Sequence, residues 1–207
     1  MADGKSEDQA LEQRFIEALR RQDEAAFNAL VLRFQDRIFN LTRRLIGSHE
    51  EARDVTQEVF VTVFEKISTF RGESSFANWL YRIATNHAKN RIKYLSHRAD
   101  RKRDSFDELV RTPTESQFSA NMPGPDEAMT RSRVARLVDK ALAELDEEQR
   151  IVLVLRDIEG QNYEDIAVIT GMNLGTVKSR LHRGRLRLKE LLMPHIDPTE
   201  FASGGSR

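Results

Sequence analysis

The side chains best suited to bind a partner stand close together between Leu174 and Leu191. Lys178, Arg180, Arg183, Arg185, Arg187 and Lys189 face a single acid there, Glu190. At about 100° per helical residue, Val177, Leu181, Leu188 and Leu191 share one side, with Gly184 between them. Ser179, His182, Arg183 and Leu186 fall on the opposite side, flanked by Lys178 and Arg180. One side can pack while the other presents donors and positive charge on a ridge that a DNA major groove is wide enough to admit. Arginine and lysine can read guanine edges or hold phosphates, and Thr176 near the helix start can do the latter. Charge alone would equally describe a solvated basic helix. The residues just before it add the missing geometry: Asn162 can cap a short helix over Tyr163 to Thr170, and Gly171 turns the chain. Short helix, tight turn and longer basic helix make a helix-turn-helix pattern.

A second constellation lies on the helical pattern that starts at Phe76. Arg82, Asn86, Lys89, Asn90 and Lys93 share one side. Apolar flanks bound it, with Phe76, Leu80, Ile83 and Tyr94 on one and Tyr81, Ala88, Ile92 and Leu95 on the other. Amides and cations beside an aromatic suit single-stranded nucleic acid, whose bases can be turned out and held. Trp79 borders this stripe, and core packing suits it better than a stacking role. A third set, Asp54, Gln57, Glu58, Val61 and Glu65, lines one face of a segment otherwise crowded with valine and phenylalanine. Such a face is either a solvated side or a surface for a basic protein partner.

Other chemistries find no support. The absence of cysteine excludes disulfides, thiolate metal sites and thiol catalysis. The five histidines show no ligand spacing, so no metal is expected. No nucleophile elbow or phosphate loop points to an enzyme, and neither a catalytic residue nor a cofactor is expected. The 33 basic residues balance 33 acidic ones, so charge distribution, not net charge, carries the signal. No apolar run reaches the roughly 18 residues of a membrane span, and the polar, acidic start is no signal peptide. No membrane insertion is expected, and the cytoplasm is the expected location.

These side chains require helices to position them. Asp23 precedes a run with Phe27, Leu30, Val31, Phe34, Ile38, Leu41 and Leu45 at helical spacing, which Gly47 ends. Ser48 and Glu51 read as a capping box for a helix to about Ile67. A loop over Phe70 to Ser74 follows, and Ser75 caps a helix reaching His97 or beyond. Further on, Val134, Leu137, Val138, Ala141, Leu142 and Leu145 keep helical spacing. Asp146 then starts a helix, with Gln149 completing its capping pattern and the apolar Ile151 to Leu155 buried on most sides. No strand pattern is present. The fold class is all-α, and two small cores are expected. They are separated by an apolar-poor stretch holding Pro113, Pro123, Gly124 and Pro125, where Asp104, Asp107, Glu108, Glu115, Asp126 and Glu127 outnumber Arg111. That stretch reads as a flexible acidic linker.

Several of these segments carry a resemblance. Asp54 to Phe60, DVTQEVF, is similar to the core-binding signature of sigma factors. Phe70 to Ala84, FRGESSFANWLYRIA, resembles their promoter-melting and minus-ten segment. Tyr163 to Ala167, YEDIA, and Gly175 to Leu181, GTVKSRL, resemble their minus-thirty-five reader. The family is the extracytoplasmic-function (ECF) group of the sigma-70 family, with a sigma-E-like look. The resemblance covers roughly residues 23–98 and 133–192. It implies an N-terminal extension over 1–22, sigma region 2 over 23–98, a linker over 99–132, sigma region 4 over 133–193 and a disordered tail over 194–207.

The resemblance also implies roles. Asp54, Gln57 and Glu58 would dock on the clamp helices of the RNA polymerase β′ subunit, and the β flap is a further implied contact. The loop Arg71, Gly72, Glu73, Ser74 and Ser75, with Arg82, Asn86, Lys89, Asn90 and Lys93, would hold the melted minus-ten element. Thr176, Lys178, Ser179, Arg180, His182 and Arg183 would serve the minus-thirty-five element. The linker would thread the polymerase cleft, and an anti-sigma factor, often membrane-bound, would hold the protein inactive. The linker is long for the family, and His182 stands where members vary. A stand-alone helix-turn-helix regulator is the rival reading; it explains residues 133–192 and leaves the stripe and the DVTQEVF face without a purpose.

Overall fold

A computed structural model of the chain describes residues 3–104 and 125–195, with side chains over 10–99, 101 and 133–195. The described residues form eight α-helices and no strand. The order is α1 (Asp3–Arg20), α2 (Glu24–Ile46), α3 (His49–Lys66), α4 (Phe76–Asp104), α5 (Pro125–Ala143), α6 (Glu147–Leu153), α7 (Tyr163–Thr170) and α8 (Leu174–Leu192). A 3₁₀ turn, Ile67–Thr69, follows α3, and a π turn, Val154–Ile158, continues α6.

Local chemistry sets the boundaries. The Asp23 carboxylate accepts from the Ala26 amide at 2.8 Å and starts α2. Ser75 Oγ accepts from the Asn78 amide at 3.1 Å and starts α4. Asn162 and Asn173 do the same for α7 and α8, at 2.7 and 2.8 Å. Ser48 Oγ accepts from the Glu51 amide at 3.4 Å, but the second half of the expected capping box is absent. The Glu51 carboxylate is taken by Arg91 of α4, a charged donor that outcompetes the helix-start amide.

In the N-terminal half, α2, α3 and α4 pack around Leu30, Ile38, Leu41, Leu45, Val55, Val59 and Leu80, all sealed from solvent. Each such side chain contributes about 1.5–3 kcal/mol through burial. The segment expected only as an extension belongs to this core. Ile16 and Leu19 of α1 are buried, and Phe15 meets Phe76 edge-on with centroids 6.5 Å apart. In the C-terminal half, Ile151 to Leu155 are all buried, as their apolar run predicts. Gly184 faces α6, where a Cβ would stand in van der Waals contact, 3.4 Å from both the side chain and the carbonyl of Gln149.

The two helical domains form as expected, and their cores meet in one continuous set of buried apolar residues running from Ile16 to Leu181. α7 packs on α4, and α5 on α2. Polar ties line the joint. Tyr81 donates to Glu159 at 3.1 Å, Asn78 donates to Asp165, and Arg43 pairs with Asp139 at 2.8 Å. Arg150 donates to the Leu45 carbonyl at 2.6 Å and to those of Ala143 and Leu145, gathering acceptors left over at the ends of α2 and α5. Tyr81, on one apolar flank of α4, is buried at this joint.

The expected linker is also shorter than residues 99–132. α4 continues to Asp104, and Pro125 opens α5 at a first-turn position where no amide is needed. The short 3₁₀ turn Met193–His195 extends α8 into the expected tail. Asp107, Glu108 and Glu115 of the acidic stretch, and the tail beyond His195, lie outside the described residues.

Candidate nucleic-acid and polymerase interfaces

On α8, Lys178, His182 and Arg183 are exposed on one ridge, and Val177, Leu181 and Gly184 are buried on the other side, as the helical spacing predicts. Thr176 is half-buried, and Ser179 Oγ donates to its carbonyl at 3.0 Å. Lys178 Nζ stands 5.9 Å from the ring centroid of Tyr163, which also carries Arg156 at 4.8 Å. Arg180 differs from its neighbours. Its guanidinium turns back to α6, pairing with Glu148 and lying 3.9 Å from Asp146. Arg185 is likewise engaged, donating twice to Asp157 at 2.9 and 2.5 Å, and that hydrogen bonding lifts its pKa above the ordinary arginine value. The free cations of the ridge are therefore fewer than the sequence count.

On α4, Arg82, Asn86, Asn90 and Lys93 are exposed, and Lys89 is half-buried. The loop that precedes them leaves the core at Phe70, whose ring is buried against Phe76 and Trp79 with centroids 5.7 and 5.4 Å away. Gly72 then takes φ +75°, a left-handed turn that glycine makes without strain. Arg71, Glu73 and Ser75 are exposed and Ser74 half-buried. Loop and helix together enclose a cavity of about 460 Å³, lined by Thr69, Phe70, Arg71, Glu73, Ser74, Trp79, Arg82 and, from α7, Val168. Trp79 is a core residue, 7% exposed, that gives the cavity one edge.

On α3, Asp54, Gln57 and Glu58 are exposed in line with Val61 and Glu65. Glu58 is already held from α4: one oxygen accepts from Arg91 at 2.6 Å, and the other lies 3.5 Å from His87 Nδ1. His87 Nε2 meets Thr62 Oγ1 at 3.0 Å. Arg91 has its pKa raised first by its hydrogen bond to Glu51 and further by the charges of Glu58, Glu51 and Asp54. The sequence reading missed both His87 and Arg91. Their spacing of four places them on one turn-to-turn line of α4, which was the available signal.

Comparison with known proteins resolves what these surfaces belong to. Residues 30–98 match the family model for sigma-70 region 2, and residues 135–188 that for sigma-70 region 4. The RNA polymerase sigma-H factor of Pseudomonas aeruginosa is 36% identical over 191 residues, covering 90% of this chain and 96% of that protein. The chain belongs to the ECF sigma factors of the sigma-70 family. The ECF RNA polymerase sigma-E factor of Haemophilus influenzae is 35% identical and covers 90% of this chain and 98% of its own length. Among solved structures, the sigma factor RpoE in complex with the anti-sigma factor NepR from Bartonella quintana superposes with a TM-score of 0.61 at 26% identity, over 81% of this chain and 96% of that one. CnrH in complex with the cytosolic domain of CnrY gives 0.64 over 88% of this chain; at 22% identity it speaks for the fold alone. The stand-alone regulator has no counterpart in these matches, and residues 30–98, which hold the α3 face and the α4 stripe, match region 2. This ECF sigma factor is thus a transcription-initiation factor, and no described helix is long and apolar enough to cross a membrane.

Proposed function

We propose that this ECF sigma factor uses three surfaces in sequence. Asp54, Gln57 and Glu58 dock on the β′ clamp helices of core polymerase. The loop Arg71 to Ser75, with Arg82, Asn86, Lys89, Asn90 and Lys93, takes and holds the melted minus-ten strand. Lys178, Ser179, His182 and Arg183, with Thr176 on phosphate, contact the minus-thirty-five duplex. Arg180 acts at one remove, holding α8 against α6. The chemistry of bond formation stays with the polymerase, in the cytoplasm, where the β flap also meets region 4. An anti-sigma factor, membrane-anchored or free, restrains the protein, and the genes served are those of a stress or envelope response. The structure of a relative in complex with an anti-sigma factor supports the restraint.

The observation that carries this reading is the cavity of about 460 Å³ lined in part by Arg82, the first residue of a helix face whose amides and cations are unengaged. A turned-out base needs both an enclosure and donors at its rim. Asn86→Ala tests it. With core polymerase present, the variant should be recruited to promoter duplex as wild type and should hold the open complex less well. Permanganate reactivity of minus-ten thymines should fall, beside a gel shift on a pre-melted template that also weakens. Equal melting and equal binding of the non-template strand by Asn86→Ala would reduce the stripe to a phosphate track.

A further inference from the structure

α1 carries none of the docking or DNA-contacting residues assigned above, yet it reaches the minus-ten loop. Ile16 and Leu19 anchor its last turns in the core, and Phe15 packs edge-on against Phe76. From the final residue of this helix, the Arg20 guanidinium donates to the Phe70 carbonyl at 2.6 Å. Phe70 is the hinge between core and loop. Its amide closes the 3₁₀ turn by donating to Ile67 at 3.1 Å, and its ring is clamped by Phe76 and Trp79. Its carbonyl belongs to the Phe70–Arg71 peptide, and the plane of that peptide decides in which direction Arg71 and the rest of the loop depart. The far end of the loop is fixed separately, by the Ser75 cap.

We infer that Arg20 is a positioning residue for minus-ten recognition: its hydrogen bond to Phe70 orients the loop that walls the cavity. The inference rests on the reading of that loop as the holder of the minus-ten strand. A planar, permanently charged donor at the end of a packed helix suits this task. It presents a short charge-assisted bond from a rigid base, without touching DNA itself. Without it the peptide can rotate, and Arg71, Glu73 and Ser74 lose their common orientation around the cavity.

The test uses the full chain assembled with core polymerase on a promoter that the wild-type holoenzyme transcribes. Arg20→Ala, Arg20→Lys and the loop variant Arg71→Ala are compared for thermal unfolding, core affinity, binding of the single-stranded non-template minus-ten strand, and permanganate reactivity. For Arg20→Ala we expect strand affinity and open-complex occupancy to fall about tenfold to a hundredfold, the span of one charge-assisted hydrogen bond. Core affinity should stay unchanged. Arg20→Lys, which keeps a donor, should recover at least half of the loss. Strand binding at the wild-type level in Arg20→Ala, with Arg71→Ala impaired, would overturn the role of Arg20 and leave the loop reading standing. Wild-type binding in both would overturn the two together. A parallel fall of core affinity and strand affinity in Arg20→Ala, or no recovery in Arg20→Lys, would also overturn it, because either marks general loss of structure in place of loop orientation. If Arg20→Ala does not fold, Arg20→Lys alone decides: it must bind the strand better than Arg71→Ala.

Discussion

Arg180 and Arg183 lie one turn apart on α8 with different surroundings. Arg183 is exposed, whereas Arg180 is bound back to Glu148 and Asp146. Helical spacing puts both on or beside the basic ridge, because spacing carries angles and not the reach of a neighbouring glutamate. The same blindness applies to Glu51, which a local pattern assigned to a capping box and the fold assigned to Arg91. Substitution separates the two arginines. Arg183→Ala should leave the unfolding midpoint unchanged and weaken holoenzyme binding. Loss of a bidentate base contact would cost about 1–3 kcal/mol and relax preference at one position, and loss of a phosphate contact would weaken all promoters alike. Arg180→Ala should instead lower stability by up to about 1 kcal/mol, the range of partly exposed ion pairs. Thermal unfolding beside a gel shift with core polymerase reads both. Equal stability of the two variants, with equal loss of sequence preference, would return Arg180 to the ridge.

At the scale of elements, the caps at Asp23, Ser75, Asp146 and Asn162, and the burial of Ile151 to Leu155, were legible in the sequence because they are local. A cap needs only its own next three residues, and a continuous apolar run needs only its own side chains. α1 was less legible. Its first turns are polar, and Phe15, Ile16 and Leu19 are too few to announce a packed helix alone. The helical ends of the linker are hidden in the sequence for a related reason: few apolar residues argue against burial, not against helix, and Pro125 is compatible with a helix start. Gly184 shows where one element depends on another. A Cβ there would just touch Gln149 and Leu153 of α6, so a methyl fits and a larger side chain does not. Gly184→Val should push the two helices apart, cost about 1–3 kcal/mol through overpacking, and impair minus-thirty-five binding more than minus-ten strand binding. Denaturant unfolding and separate binding assays with duplex and single-stranded probes check this. A variant as stable as wild type with intact duplex binding would mean that the contact has slack.

At the scale of the whole molecule, the two halves share one buried set, and Tyr81 sits at their joint. Sequence periodicity made its flank of α4 apolar but could not say what covers it, since the covering residues lie far along the chain. Burial, and then the Glu159 carboxylate, push the Tyr81 hydroxyl up to about 12. In the unfolded chain it ionises near 10, as tyrosines ordinarily do. The folded pKa is the higher one, so the contribution of Tyr81 is complete below about pH 10 and is lost as pH rises toward about 12. Tyr81→Phe removes this dependence. The stability difference between wild type and Tyr81→Phe should therefore change across that alkaline window and be flat below it; a difference independent of pH would remove Tyr81 from the account of the joint.

The central claim is that this chain recognises promoters as a subunit of polymerase, through the α3 face. Run-off transcription with purified core polymerase on a genomic library tests it most directly, comparing wild type with the Asp54→Ala, Glu58→Ala double variant and with free protein on the same duplexes. Both residues are exposed, and Arg91 keeps Glu51 when Glu58 is removed, so the double variant should remain helical. The account predicts discrete transcripts with wild type, their loss in the double variant through failure to bind core, and only weak duplex binding by the free protein. Tight, sequence-specific binding by the free protein, with core affinity in the double variant equal to wild type, would contradict it.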